Sequence, residues 1–428
     1  MKLRKFLAMV LTMCLIMCLS ACGEEPGESS TPISGGDSSV TTATTGPTSS
    51  TVGSTTQKPS STTTGATTTN TGKTTTNTGK TTATTVNTVA PVKAQRTLWV
   101  CSKSIDYNTG RVMDDFVDKL TDESNWPNLL TRTKVLKLYI QQMYTTPDED
   151  MKRIADFVRK HNLEVAVELG GIRMAPADTP KEKIAENAFN NEYRHLKKFI
   201  DLGGRVDYVT TDHSLAASIS GRAEAFPNLK LSRVDYMRLY MQYYQLMQEH
   251  IPGVKLGAIE SLGFFRIKGA DRQYEQTDST LPIKLDFETY LQEMLVLAKE
   301  YGVKLDHFHI DFGYHEVKAD GGWGRVLATE ELVRSKGLDC GMIVTNAFHL
   351  GMAWPSKWPE QASKSAYSET MKMFEGYMQA GGKSSYLMFQ RWQHYPVEIG
   401  SEAEQYTCMG IFKALLDSPY YVEGWPNE

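Results

Sequence analysis

From about Ala94 onward, the sequence repeats a short apolar segment followed by a longer segment with helical spacing. The apolar segments are rich in β-branched residues and lie at 97–101, 135–140, 164–169, 206–211, 255–260, 306–311, 340–345 and 385–390. Repeated strand–helix units predict an α/β fold with a parallel sheet covered by helices, and eight units favour a closed (β/α)8 TIM barrel. A doubly wound open sheet, in one or two lobes, is the alternative.

The ends of the predicted helices carry recognisable signals. Pro147, followed by acidic residues, precedes an apolar helical stripe that begins at Met151, and Asp286 is placed to cap the helix that contains Met294. Glycines stand just before four of the predicted strands, at Gly203, Gly302, Gly337 and Gly381. Glycine is the residue that most often ends a helix, so these positions support the strand–helix alternation.

The N-terminus has the pattern of an export signal. Lys2, Arg4 and Lys5 precede an apolar run at 6–19, which at about 14 residues is shorter than the roughly 20 that a membrane-spanning helix needs. The residues before Cys22 resemble the lipobox of bacterial lipoproteins, and that resemblance implies cleavage at 1–21 and lipid attachment at Cys22. We therefore expect an extracytoplasmic protein that is lipid-anchored to the cell membrane at the bacterial surface.

The segment that follows is of low complexity. Residues 22–93 consist mainly of Ser, Thr, Gly and Pro, with an approximate seven-residue repeat between 64 and 84. So few apolar side chains cannot offset the entropy lost on ordering, which predicts a disordered linker. The remaining domain, 94–428, is long enough for one large core.

Charge and cysteine content exclude some functions and partners. The formal net charge is −4, and Lys and Arg form no long block, so we expect no nucleic-acid partner. Cys101, Cys340 and Cys408 are widely spaced, which favours buried thiols over a zinc site, although one disulfide remains open. We expect a monomer with a carbohydrate substrate and no cofactor.

Polar side chains occur where the predicted strands end. In a (β/α)8 barrel these carboxyl ends surround the active site. Three carboxylates, Asp212, Glu260 and Asp311, directly follow apolar strands, where an unpaired charge would be costly to bury. Glycoside hydrolysis requires two carboxyl groups, one to protonate the leaving oxygen and one to attack the anomeric carbon or activate water. We predict that Asp212, Glu260 and Asp311 are the catalytic residues.

Other polar and aromatic residues are candidates for substrate binding, because amides and acids bond sugar hydroxyls and flat rings stack on sugar faces. The predicted set is Glu168, His213, Tyr314, Asn346, Gln390, Trp392 and His394, with Trp323, Trp354, Trp358 and Tyr395 in loops expected around the same barrel mouth. His307 and His309 share one strand face, where a structural role is more common than metal binding. We predict no catalytic metal.

Four longer motifs carry a resemblance: those that end at Asp212, at Glu260 and at Asp311, and the segment 389–396. They are similar to motifs of a group of secreted bacterial (β/α)8 proteins that resemble glycoside hydrolases. That group has an Asp-Glu pair after the fourth strand, whereas this chain has Asp212-His213. The resemblance therefore implies a glycosidase-like barrel with its acid–base work at Asp212 and Glu260. Acids after the fourth and sixth strands also resemble those of α-galactosidase-like barrels.

Two other functions are compatible with the same residues. One is a metal-dependent sugar isomerase or epimerase that uses Glu260, Asp311 and a histidine around a divalent ion. The other is a non-catalytic carbohydrate-binding surface lipoprotein. Serine-hydrolase, nucleotide-hydrolase and dinucleotide-binding motifs are absent from the sequence.

Overall fold

A computed structural model describes residues 98–102, 112–213, 226, 228–268, 285–320, 322–345, 359–392 and 395–422. The strands are β1 (Leu98–Cys101), β2 (Thr133–Tyr139), β3 (Glu164–Leu169), β4 (Tyr208–Asp212), β5 (Lys255–Ser261), β6 (Phe265–Arg266), β7 (Leu285–Asp286), β8 (Leu305–Asp311), β9 (Asp339–Val344) and β10 (Tyr386–Gln390).

The α-helices lie between the barrel strands and after the last one. They are α1 (Phe116–Thr121), α2 (Pro127–Arg132), α3 (Ile140–Thr145), α4 (Asp148–His161), α5 (Ile184–Asp201), α6 (Arg233–His250), α7 (Phe287–Glu300), α8 (Tyr314–Ala319), α9 (Gly324–Ser335), α10 (Pro359–Gln379) and α11 (Cys408–Asp417). None of the helices in these ranges is long and apolar enough to cross a membrane.

Eight of the strands form one closed parallel barrel. Their order is β1-β10-β9-β8-β5-β4-β3-β2, and β10 pairs with β1 to close it. Each of the eight predicted apolar segments supplies one barrel strand, which confirms the (β/α)8 fold and excludes the open sheet. The sequence did not predict β6 and β7, which pair only with each other outside the barrel.

The predicted helix ends are also confirmed. Helix α4 begins after Pro147 with acidic residues in its first turn, and the Asp286 side chain accepts a hydrogen bond from the Thr289 amide at the start of α7. The four glycines named above have φ between +66° and +92°. A side chain is strained in this left-handed region, which explains glycine at these helix ends.

Alternate residues of each strand face the barrel interior, which is filled by side chains. The Trp99 and Tyr386 rings stack there with centroids 4.4 Å apart, against Tyr208 and Met388. A larger apolar core lies between the outer barrel face and the helices. The barrel is therefore packed on both faces, as a parallel sheet requires.

His307 and His309 confirm the prediction of a shared strand face. Their rings lie 4.8 Å apart inside the barrel, where His307 Nε2 contacts Thr210 Oγ1 at 2.9 Å and His309 Nε2 contacts the Tyr386 hydroxyl at 2.7 Å. Burial lowers the pKa of His307 to about 3 and that of His309 well below its ordinary value. Both rings are neutral packing groups at physiological pH.

Cys101, Cys340 and Cys408 are buried free thiols, as expected, and form no disulfide with one another. Burial raises the pKa of Cys101 to about 12 and that of Cys340 well above its ordinary value. A thiol that holds its proton so firmly is a poor nucleophile, so these cysteines act as small core residues.

Candidate functional site

Five polar residues share the interior face at the carboxyl ends of the barrel strands. The alternation that turns Tyr208, Ile259, His309 and Tyr386 inward also turns inward the last polar residues of their strands. These residues are Glu168 on β3, Asp212 on β4, Ser261 on β5, Asp311 on β8 and Gln390 on β10. All the strands are parallel, so these groups surround one mouth of the barrel.

The two predicted aspartates converge on one histidine. His213 Nε2 lies 3.1 Å from Asp311 Oδ2 and 3.3 Å from Asp212 Oδ1. His213 directly follows β4, whereas Asp311 ends β8, and β5 lies between these two strands in the barrel. The structure thus brings together two of the three predicted catalytic carboxylates, and the predicted binding residue His213 bridges them.

Backbone contacts fix the orientation and the tautomer of His213. The Ser261 amide donates to His213 Nδ1 at 2.9 Å, so that nitrogen carries a lone pair and the ring proton is on Nε2, toward the aspartates. His213 also has φ +40°, a left-handed conformation that is strained for a side chain. Burial lowers the pKa of His213 and the charges of Asp212 and Asp311 raise it by more, so the net shift is upward. The Ser261 amide opposes that shift, because a second ring proton would have to lie on Nδ1, and this contact favours the neutral ring.

Arg173 approaches Asp212 from the loop after β3. Its guanidinium donates to the Asp212 carbonyl oxygen and lies 3.7 Å from Asp212 Oδ2. The loop is a short 3-10 helix, Gly171–Met174, and the buried carboxylate of Glu192 accepts hydrogen bonds from the Gly170 and Gly171 amides at 2.8 and 3.2 Å. Glu192 therefore holds the turn that places Arg173.

A buried ion pair lies beside these groups. Lys137 Nζ on β2 is 2.5 Å from Glu168 Oε2 and donates to Gln390 Oε1 at 2.7 Å. The Gln390 amide donates in turn to Glu168 at 3.2 Å. Burial raises the pKa of Glu168, and Lys137 offsets only part of that shift. Glu168 and Gln390, both predicted to bind substrate, thus reach the mouth as one network with Lys137.

Glu316, in the first turn of α8, is a further carboxyl group at the mouth. Its Oε2 accepts from the Gly313 amide at 2.6 Å, and its Oε1 lies 3.4 Å from Ser261 Oγ. Burial and the nearby Asp311 charge raise the pKa of Glu316 to about 8. Its side chain is partly exposed.

Glu260 lies on the opposite face of its strand from this cluster. It is buried among residues of α6 and α7, including Tyr240 and Met294, and Tyr290 donates a hydrogen bond to Glu260 Oε1 at 3.1 Å. Because successive strand residues alternate, Ser261 rather than Glu260 faces the interior. This placement differs from the expectation that Glu260 joins Asp212 and Asp311 at the mouth.

The aromatic residues that were expected around the mouth divide into two groups. Trp392 packs against the interior cluster at the end of β10. Trp323 instead packs on Tyr377 of α10 with ring centroids 5.7 Å apart, Tyr395 is buried, and Tyr314 packs on the outer core. These three rings contact the apolar core outside the barrel rather than the interior cluster. Cys22, Asn346, Trp354, Trp358 and His394 lie outside the described residues.

The described side chains include no group of three His, Cys, Asp or Glu residues arranged to hold a metal ion. Of the isomerase alternative's residues, Glu260 and Asp311 lie on opposite faces of the barrel wall, Glu260 among helix residues and Asp311 at the mouth. The arrangement at the mouth is suited to proton transfer and to stabilising positive charge on a substrate.

The sequence prediction omitted four residues of this site: Lys137, Arg173, Ser261 and Glu316. Lys137 could have been found because it interrupts the apolar strand Val-Leu-Lys-Leu, where a buried charge needs a partner. Arg173 lies four residues after the end of β3, and Glu316 lies five residues after the end of β8. Neither side chain belongs to a strand, so the strand pattern did not predict them.

No family model matches the sequence, and neither does any curated protein. Similar solved structures include an endo-1,4-beta-xylanase from Penicillium canescens, with 12% identity over 70% of this chain and 83% of that chain and a TM-score of 0.39. A D-psicose 3-epimerase from Clostridium cellulolyticum, solved with D-tagatose, has 10% identity over 75% and 97% and a TM-score of 0.39. A putative alpha-L-fucosidase from Bacteroides thetaiotaomicron has 10% identity over 77% and 97% and a TM-score of 0.40. At these values the likeness says nothing about activity.

Proposed function

We propose that this chain is a glycoside hydrolase whose active site is the barrel mouth around Asp212 and Asp311. The observation that carries the proposal is the convergence of both aspartates on His213 Nε2, at 3.3 and 3.1 Å. Two carboxylates held close together by a single shared proton donor provide the negative charge that stabilises an oxocarbenium-like transition state.

The chemistry assigns one of these aspartates to attack the anomeric carbon or to activate a water molecule. His213 Nε2 bonds Asp311 and lies 3.3 Å from Asp212. The guanidinium of Arg173, 3.7 Å from Asp212 Oδ2, places a positive charge beside that residue. Glu168, Gln390 and Trp392 border the same mouth, where they would bond sugar hydroxyls and stack on a sugar face.

We further propose that the enzyme acts on a poly- or oligosaccharide outside the cell, as a lipid-anchored monomer at the bacterial surface. This part rests on the export signal, the lipobox-like segment that ends at Cys22 and the Ser/Thr-rich linker. A flexible linker of about 65 residues has an end-to-end distance of roughly 45 Å, which would let the domain reach a large substrate from the membrane.

The test uses the purified full-length chain on a panel of plant, fungal and bacterial wall glycans, with released reducing sugar as the readout. On any substrate that the wild type cleaves, we expect Asp212→Asn and Asp311→Asn each to lower kcat by at least about 100-fold, the scale of a lost acid, base or nucleophile. The matched control is Asp201→Asn, an exposed aspartate of α5 that pairs with Lys197 on the same helix and should retain full activity.

Two results would contradict the proposal. Full activity in Asp311→Asn would remove the aspartate pair from the mechanism. Tight binding of a glycan by the wild type without any cleavage would instead favour the carbohydrate-binding alternative.

A further inference from the structure

In the part of the chain that the structure describes, four carboxyl groups surround the barrel mouth, and three of them have a nitrogen cation or a ring N–H as a partner. Glu168 pairs with Lys137, Asp212 with Arg173 and His213, and Asp311 with His213. Each of these three carboxylates therefore already has a hydrogen-bonding or charged nitrogen beside it. A hydrolase also needs a carboxyl group that still holds its proton.

Glu316 differs from the other three in its partners. Within the described residues it forms no ion pair, and its contacts are the Gly313 amide at Oε2 and the Ser261 hydroxyl at Oε1. The ionisable groups that face it are Asp311, from β8, and His213, from the loop after β4. The negative charge of Asp311 raises the pKa of Glu316 by more than His213 lowers it, so a second negative charge at Glu316 is disfavoured.

The geometry also links Glu316 to the catalytic pair. Ser261 contacts Glu316 through its hydroxyl and His213 through its amide, and it lies beside Asp311 in the β5–β8 register. The Gly313 contact fixes Oε2, which leaves Oε1 as the oxygen nearer the mouth. The side chain is partly exposed, so a substrate at the mouth can reach it.

We infer that Glu316 is the proton donor of the proposed hydrolysis. This inference rests on the proposed function and adds a residue to it. As the bond from the anomeric carbon to the leaving oxygen breaks, the Glu316 proton passes to that oxygen, and a carboxylate or water oxygen bonds to the carbon. If a carboxylate attacks, a water then hydrolyses the glycosyl ester and gives its proton to Glu316. If water attacks directly, its proton passes to the aspartate base, and solvent exchange returns a proton to Glu316.

The test compares Glu316→Gln with the wild-type full chain on two substrates of one sugar: a natural glycoside and its dinitrophenyl glycoside. A dinitrophenolate leaves without protonation. We expect kcat/KM, which reports the departure of the leaving group, to fall by at least about 100-fold on the natural glycoside but by less than about tenfold on the activated one. The fall of wild-type activity at high pH should also disappear in the variant.

A role in helix capping alone would give a different result. Glutamine still offers an oxygen to the Gly313 amide, and Asp235→Asn provides a matched control, because Asp235 accepts from the Ser232 amide at the equivalent position of α6. The control should leave both activities unchanged. Equal losses on both substrates in Glu316→Gln, or no loss on either, would overturn the inference.

The protonation state of Glu316 can also be measured directly, without an activity assay. Carbon-13 NMR of glutamate-labelled protein should show one carboxyl resonance, absent from Glu316→Gln, that titrates well above the ordinary range for glutamate. Titration near pH 4–5 would overturn the assignment of Glu316 even if the chain hydrolyses glycans. A wild type inactive on every glycan, with this high titration present, would instead refute the proposed function.

Discussion

Lys137 and Glu168 form an ion pair inside the barrel, with Nζ 2.5 Å from Oε2 and the lysine side chain fully buried. The pair joins neighbouring strands, β2 and β3, just below the mouth. Gln390 bonds both partners from β10. The network thus ties together three strand ends, two of which supply residues predicted to bind substrate.

Lys137→Met should destabilise the protein, because it leaves the Glu168 carboxylate buried without its cation. Removing one partner of a buried pair costs about 3–5 kcal/mol, to be measured by urea unfolding at neutral pH. Lys134→Met is the control on the same strand. Lys134 is half-exposed, and its Nζ lies 3.6 Å from Glu164 Oε2, a longer ion pair than that of Lys137. We expect the control to change stability by no more than about 1 kcal/mol. Equal effects would show that the buried pair has no special role.

Glu260→Gln should affect stability more than activity. Its carboxylate lies between the barrel and helices α6 and α7, bonded to Tyr290, rather than at the mouth. We expect kcat within a few-fold of wild type, in contrast to the loss of at least about 100-fold in Asp311→Asn. Both variants are assayed on the same glycan, and a loss in Glu260→Gln as large as that in Asp311→Asn would return Glu260 to the catalytic set.

Glu192 should make stability depend on pH. Burial raises the pKa of Glu192 to about 7. Hydrogen bonds from Tyr243 and from the Gly170 and Gly171 amides lower the pKa, but by less than burial raises it. The folded state therefore holds this proton more tightly than the unfolded state, so its stabilisation is fully present below about pH 4.5 and is lost as the pH rises through 7.

The measurement for Glu192 is the free energy of unfolding of wild type and Glu192→Gln between pH 5 and 8. We expect the wild type to lose about 2–3 kcal/mol relative to the variant over this range. Glu186→Gln, an exposed change on the same helix, should show no such difference. A difference that stays constant with pH would contradict the assigned pKa.

Gly257→Ala should disrupt the barrel. A Cβ atom at this position would lie 2.3 Å from the His307 ring and 2.4 Å from the His307 carbonyl oxygen on the neighbouring strand β8. Backbone cannot move aside easily in a closed barrel, so we expect a loss of about 2–3 kcal/mol. Gly263→Ala is the control, because its Cβ would meet Ser261 at an ordinary 3.4 Å. The measurement is the melting temperature of both variants, which should be lower for Gly257→Ala. Equal melting temperatures would refute the prediction.

The barrel was predictable from sequence because each strand is a compact apolar segment and four of the helices are followed by glycine. The strand β3 was predicted with the bounds that the structure has, Glu164–Leu169. The pair β6–β7 was not predicted, since two-residue strands carry no periodic pattern.

The site was predicted in part. Asp212, His213 and Asp311 were identifiable because each stands at the end of an apolar strand. Glu260 and Ser261 are adjacent in sequence, yet they face opposite sides of β5, and only the register of the strand decides which of them reaches the mouth. Arg173 depends on a loop that Glu192 of the next helix holds in place. Glu316 depends on the turn at Gly313 after β8. Neither position follows from the alternation of a strand.

The stacked rings of Trp99 and Tyr386 have a consequence for how molecules move through the site. With His307, His309 and Met388 they fill the barrel below the polar mouth, so the site has no passage to the far end. A ligand must therefore enter and leave on the same side, and a departing product occupies the route that the next substrate needs.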